Sequence, residues 1–479
     1  MKKSVLLVLS MGLFLASCNY SKSDVTVYQA PEGEELSSKF TVSVNGIDVP
    51  VYKTKIPPED KQGRYRAEFP AETHLYFDMT NFASFDMKKG PVKVSVSVKE
   101  PIYTAKILPT SFGIMPKING NTVSFEVTKP QHITVEINGD HIRSLHVFVN
   151  PEETDIPDPK DPNVIYFGPG IHEITSVSVI GDNKTVYIAG GAVVRGVLSE
   201  EEQTARRRPA SFVLRGKNIT FRGRGIFDME RVPRLISRQT MSVTVDGFKL
   251  EGVILCNSSE WTVSLRDCND VHIDNLKLFG HRANSDGIDI CSSMDVLVEN
   301  CFLRTWDDLI VVKTLRGSNQ DAGRIHVRKC VLYNECAHAL SIGAELTRKV
   351  EDVLFEDCDV IGDHGREWTL RVYHTDAALV KNVRFENIRI EESVRFASLW
   401  INTAVWTSDA VRGNIEDVVF KNITVNNSGY PLQREIEFLG FDPDHAIKNV
   451  LIENVVINGR KVTRDDIATN NFVYNVTVK

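Results

Sequence analysis

The second half of the chain repeats one eight-residue template, and such a repeat leaves few folds open. The segments "VHIDNLKL" from Val271, "VLVENCFL" from Val296, "IHVRKCVL" from Ile325, "VLFEDCDV" from Val353, "VRFENIRI" from Val383, "VVFKNITV" from Val418 and "VLIENVVI" from Val450 run apolar, any, apolar, charged, Asn-like, apolar, any, apolar. Alternation by two marks a strand, so each segment reads as two short strands joined at a polar corner. Recurrence about every 25 to 35 residues predicts a solenoid in which each coil buries its inner face on its neighbours. "FKLEGVIL" from Phe248 and "ITFRGRGI" from Ile219 extend the template upstream.

The cysteines fit that reading. Cys301, Cys330 and Cys358 hold the template position filled elsewhere by Leu276, Ile388, Ile423 and Val455, so they are expected to be buried small apolar side chains, with disulfides left open at Cys256, Cys268, Cys291 and Cys336. No Cys or Cys/His spacing suggests zinc. Before the solenoid, "KFTVSVNGIDVPVYKT", "PVKVSVSVKE", "NTVSFEVTK" and "HITVEING" are short alternating strands between Gly, Pro and Asn turns, which predicts a separate β-sandwich. "PEETDIPDPKDPN" from Pro151 has the composition of a linker. The expected division is residues 1–18 as a signal segment, 19–160 as the sandwich with its linker, and 161–479 as the solenoid, an all-β chain throughout.

"MKKSVLLVLSMGLFLASC" has Lys2 and Lys3, an apolar run too short to span a bilayer, then small residues ending at Cys18. "LASC" resembles the lipobox of bacterial lipoproteins, which implies cleavage before Cys18, lipidation there, and a body tethered to the outer membrane on its periplasmic or surface face. A net charge of −7 gives no electrostatic reason to expect nucleic acid or an anionic membrane surface as partner. A monomer is expected, with contact to the membrane only through the lipid.

Chemistry is expected on one arc. Asp286, Asp307, Asp308, His338 and Arg371 come from four successive coils, each 11 to 18 residues past its template start. Coils stack about 4.8 Å apart, so residues on one arc form a lateral row. A single Asp there is ordinarily a turn residue. Three carboxylates together repel one another, and folding alone gives no reason to collect them unless a proton, a cation or a substrate is shared. Two reactions want such a cluster: hydrolysis of a glycosidic bond, with a protonated acid and a carboxylate-activated water, and calcium-dependent lysis of a polysaccharide, with carboxylates as metal ligands. A non-catalytic glycan-binding solenoid is a third reading, one that needs no carboxylate cluster.

"NSDG" (284–287), "WDDL" (306–309), "AHALSIG" (337–343) and "LRVY" (370–373) resemble, in order, the four motifs of the polygalacturonase family, glycoside hydrolase family 28. The sandwich followed by "IYFGPGIHEI" and "TVYIAGGAVV" also resembles the related dextranase and isopullulanase family, glycoside hydrolase family 49. The resemblance implies a right-handed parallel β-helix and an inverting hydrolase without metal or cofactor, acting on a poly- or oligosaccharide. Pectic oligosaccharides are the first expectation and a neutral α-glucan the second. It also implies Asp307 as general acid, Asp286 and Asp308 as joint base, and His338 as the residue holding the acid or a substrate hydroxyl. Crowding by like charge supplies a reason for Asp307 to hold a proton, and inversion predicts an acid-to-base gap of roughly 6.5 to 9.5 Å. Asn284, Trp306, Arg371 and Tyr373 are the expected substrate contacts. Tyr373 stands where polygalacturonases carry Lys, and Trp306 where they carry Gly, so one cation for a uronate is missing and the site is narrowed.

Overall fold

A computed structural model describes residues 20–57, 77–175, 177–205, 209–232, 238–365, 367–426 and 435–479. The expected signal segment and Cys18 lie outside the described residues.

From Val164 onward the chain winds into a right-handed parallel β-helix. Both strands of the template are present. The first falls in a ladder that runs through Asn269–Asp274, Met294–Glu299, Ala322–Arg328 and Val350–Glu356. The second falls in a ladder through Lys277–Phe279, Phe302–Thr305, Val331–Asn334 and Asp359–Asp363. The corner between them is left-handed at every coil: Asn275, Asn300, Lys329, Asp357, Asn387, Asn422 and Asn454 all have φ between 50° and 55°. Asn and Asp tolerate that region better than other side chains, which explains their place in the template. Their amides also ladder from coil to coil, as from Asn454 Nδ2 to Asn422 Oδ1 at 2.9 Å and from Asn422 Nδ2 to Asn387 Oδ1 at 3.0 Å.

A third strand per coil lies outside the template. This ladder runs through Val263–Arg266, Ile288–Cys291, Ile310–Thr314, Leu340–Leu346, Leu370–His374 and Ala397–Ile401, joined in parallel register. Its inward residues are apolar, but its outward ones include Asp289, Lys313, Ser341 and Arg371, so no common pattern links the segments.

Cys301, Cys330 and Cys358 are fully buried in the common core, and each Sγ donates to the carbonyl two residues earlier, at 3.1, 3.4 and 3.3 Å. All seven cysteines among the described residues are free thiols, including Cys256, Cys268, Cys291 and Cys336. Stacked Phe355, Phe385 and Phe420 line the same interior at 5.0 Å centroid spacing.

The described residues between 25 and 151 form two sheets, one of five strands and one of six, enclosing their own core of Val42, Phe85, Val94, Phe125 and Val147 among others. The outer face of this sandwich packs on the second ladder of the helix: Phe82 and Phe148 meet Phe279, Phe302, Tyr333 and Ile361. Arg304 crosses that contact, pairing with Glu335 at 2.7 Å and reaching Thr80 Oγ1 at 3.2 Å, with both charged side chains fully buried. Lys277 does the same through Asn150 Oδ1 at 2.7 Å. The sandwich thus closes the face of the second ladder, while a cleft stands open on the arc between the second and third ladders and on the outer face of the third.

Candidate active site

Ile288, Ile310, Leu340 and Leu370 are register partners in the third ladder. Two residues before them stand Asp286, Asp308, His338 and Trp368, and the backbone ladder continues back to that level: Gly287 N donates to Asp308 O at 2.8 Å and Leu309 N to His338 O at 2.9 Å. The row expected across four coils exists, but its fourth member is Trp368. Arg371 lies three residues further on, in register with Ser341. The arcs between second and third strands, 280–287, 306–309, 335–339 and 364–369, differ in length, so counting from the template misplaces the last coil. The Arg371 side chain still returns to the site, with Nη1 3.5 Å from His338 Nε2.

Asp286, Asp307 and Asp308 bring carboxylate oxygens within 4.8 Å of one another, at the floor of a cleft of about 420 Å³. That spacing is narrower than the gap expected for an inverting pair, because adjacent coils and adjacent residues place all three on one arc. Asn284, at φ 61°, aims its N–H at Asp307 Oδ2 from 3.0 Å, and Asp308 N donates to Asp307 Oδ1 at 3.1 Å. Both oxygens of Asp307 are therefore oriented by backbone. Gly287 is required by close approach, since a Cβ there would stand 2.3 Å from Leu309 O.

Beneath the carboxylates lies a cation absent from the sequence reading. Lys313, 5 % exposed, places Nζ 3.2 Å from Asp286 Oδ2 and 3.0 Å from Asp289 Oδ1, and 4.2 Å from the centroid of the Trp261 ring. Burial opposes the Lys313 charge, but Asp289, Asp286, Glu345 and Asp308 outweigh it and hold the ammonium well above its usual value. Asp289 is a fully buried partner of this lysine. Burial, with like charge second for Asp286, pushes the carboxyls of Asp286 and Asp308 well above the usual range, and burial takes Asp289 up to about 6. One buried ammonium cannot neutralise Asp286, Asp289 and Asp308 together, so the raised carboxyls share a proton that belongs to the group and not to one residue.

His338 Nδ1 lies 2.8 Å from Trp368 O, a bond that requires the Nδ1 proton and leaves Nε2 turned toward Asp308 Oδ1 at 4.0 Å. The loop behind His338 and Trp368 is held by fully buried Asp363, which accepts from Gly365 N at 2.9 Å, Asn334 Nδ2 at 2.8 Å and the Thr369 hydroxyl, and whose carboxyl burial raises to about 7. Arg371, 3 % exposed, donates to Glu367 Oε2 at 2.5 Å and is walled by the rings of Tyr373, Trp400 and Trp368 at 4.2, 4.8 and 5.1 Å. Trp306 is 7 % exposed and forms wall, so the open aromatic surface in the cleft belongs to Trp261, Trp400, Tyr373 and half-exposed Trp406.

A parallel β-helix that carries this carboxylate cluster in an aromatic-lined cleft is the scaffold of a glycoside hydrolase. The chain belongs to glycosyl hydrolases family 28, whose family model matches residues 228–476. It is 27 % identical over 217 residues to a polygalacturonase of Juniperus ashei, covering 43 % of this chain and 40 % of that protein. To an endo-polygalacturonase of Pectobacterium carotovorum subsp. carotovorum it is 25 % identical over 207 residues, covering 42 % of this chain and 48 % of the relative. The alignments thus span less than half the length of these relatives. Among solved structures, the family 28 exopolygalacturonase of Yersinia enterocolitica superposes with a TM-score of 0.48 at 14 % identity, over 80 % of this chain and 96 % of that one.

Proposed function

We propose that the protein hydrolyses a glycosidic bond of a pectic oligosaccharide with inversion at the anomeric centre. The observation that carries hydrolysis is the approach of Asp286, Asp307 and Asp308 within 4.8 Å at the floor of the cleft, while inversion is carried over from the family resemblance and not from that spacing. Oxygens that close can share one water, which donates to the ionised member of the Asp286 and Asp308 pair and is poised to attack as that carboxylate takes its proton. Asp307, oriented by two backbone N–H groups, then serves the leaving oxygen with the cluster's proton. His338, anchored through Trp368 O, stands beside Asp308 and orders that proton or a sugar hydroxyl. Asn284, Trp306, Arg371 and Tyr373 line the path of the glycan.

The reading includes export. A lipid on Cys18 would tether a monomer to the outer membrane and hold the cleft near incoming glycan.

The test is incubation of the protein and its Asp307→Asn variant with de-esterified and esterified pectic oligosaccharides. New reducing ends that need Asp307 and persist in chelator support hydrolysis. An unsaturated, ultraviolet-absorbing product lost on chelation would establish a lyase instead.

A further inference from the structure

Every cation lining the cleft among the described residues already has a partner, and this bears on which sugar the cleft takes. Lys313 is held by Asp286 and Asp289. Arg395 packs its guanidinium 4.8 Å from the Trp368 ring. Arg371, one of the expected substrate contacts, donates to Glu367 at 2.5 Å and is enclosed by three rings. The remaining charged groups on the walls are Asp307, Asp308 and Glu345. A free galacturonate entering here would bring a further carboxylate to an acidic cleft and would have to displace Glu367 to reach Arg371.

We infer that the sugar seated against Arg371 is uncharged, a neutral or methyl-esterified pyranose, with Glu367 as the specificity-determining residue. The inference rests on the cleft being the glycan site of the proposed hydrolase. A guanidinium and a carboxylate side by side offer donors next to an acceptor, which is the complement of two vicinal hydroxyls: one accepts from Arg371 while the other donates to Glu367. A carboxylate offers only acceptors, so it meets repulsion at Glu367. Trp400 and Tyr373, with ring planes 82° apart and centroids 6.2 Å apart, add apolar surface for the C–H face of a ring without asking for charge. Tyr373 in place of the customary Lys removes a second cation from the same spot.

The experiment measures binding to the full chain carrying Asp307→Asn, so that turnover does not interfere. The probes are trigalacturonate, its methyl-esterified form, and a trimer of neutral galactose in the same linkage. The expected result is binding of at least one uncharged trimer about tenfold or more tighter than the acid, with Glu367→Gln strengthening the acid until the gap falls below about threefold. The tighter of the two uncharged probes tells ester from neutral sugar. Acid binding as tight as either uncharged probe, a gap unmoved by Glu367→Gln, or no binding of any probe would overturn the inference. Its failure is separable from failure of the hydrolase reading: Asp307-dependent cleavage of the free acid, tightly bound, would keep the hydrolase and reject only the uncharged subsite.

Discussion

The ammonium of Lys313 bridges two carboxylates of one coil, standing 3.2 Å from Asp286 and 3.0 Å from Asp289, with none of the three side chains more than 6 % exposed. Asp286 and Asp289 are three residues apart on either side of the start of Ile288–Cys291, and Lys313 reaches them from the neighbouring strand, Ile310–Thr314. Asp286, a carboxylate of the proposed catalytic cluster, is thereby fixed to the interior charge of the fold. Removing the lysine strands two buried acids, and breaking a buried pair in this way costs about 3–5 kcal/mol. Lys313→Met is expected to lower the denaturant midpoint accordingly. Adding Asp289→Asn to that variant recovers part of the loss, because one uncompensated charge is removed; a double variant no more stable than Lys313→Met would contradict the bridge.

Asp363 gives the fold a pH dependence. Its carboxyl is raised from 3.8 to about 7, chiefly by burial, so the folded state binds its proton more tightly than the unfolded chain does. The stabilisation is complete below about pH 4 and is lost as pH rises through about 7. Asp289, raised to about 6, adds to the same trend. Thermal unfolding followed from pH 4 to pH 8 is expected to show a falling midpoint, and Asp363→Asn, which keeps a hydrogen-bonding side chain without the charge, is expected to flatten the curve.

Gly287 joins the catalytic arc to its strand under the backbone of the next coil. An alanine Cβ would come within 2.3 Å of Leu309 O, so one coil must shift relative to the other. Gly287→Ala is expected to cost about 1–3 kcal/mol of stability and to lower kcat well beyond what that loss explains, since Asp286 moves with it. Activity measured well below the melting transition separates the two effects; a folded variant with full kcat would show that the position of Asp286 is not critical.

The parts of this molecule that were legible from residues alone are those governed by period. Alternation in "VLVENCFL" and its copies defined the first two strands of each coil, the left-handed corner explained its Asn, and Cys301, Cys330 and Cys358 fell where a buried apolar side chain was due. Asp286, Asp308 and His338 were placed on one row because only short arcs separate them from the strands. The third strand was missed because its outward positions serve the site and follow no pattern. Lys313 was missed with it: at the end of "IVVKT" it reads as an ordinary surface lysine, and only the fold shows that the outer face of that strand is covered by acids and Trp261. Glu367 sits in an arc with no period at all, and its contact with Arg371 depends on a turn that spacing does not encode.

The stereochemistry of cleavage tests the central claim most directly, because the narrow carboxylate spacing makes inversion a statement about roles and not about distance alone. Proton NMR of the reaction with a pectic oligosaccharide of defined anomeric configuration, recorded in the first minutes before mutarotation, reads the configuration of the newly formed reducing end. The account predicts the inverted anomer from the unmodified protein, with Asp307→Asn slower by about 10²–10⁴-fold. Appearance of the retained anomer, or full activity in Asp307→Asn, would contradict it.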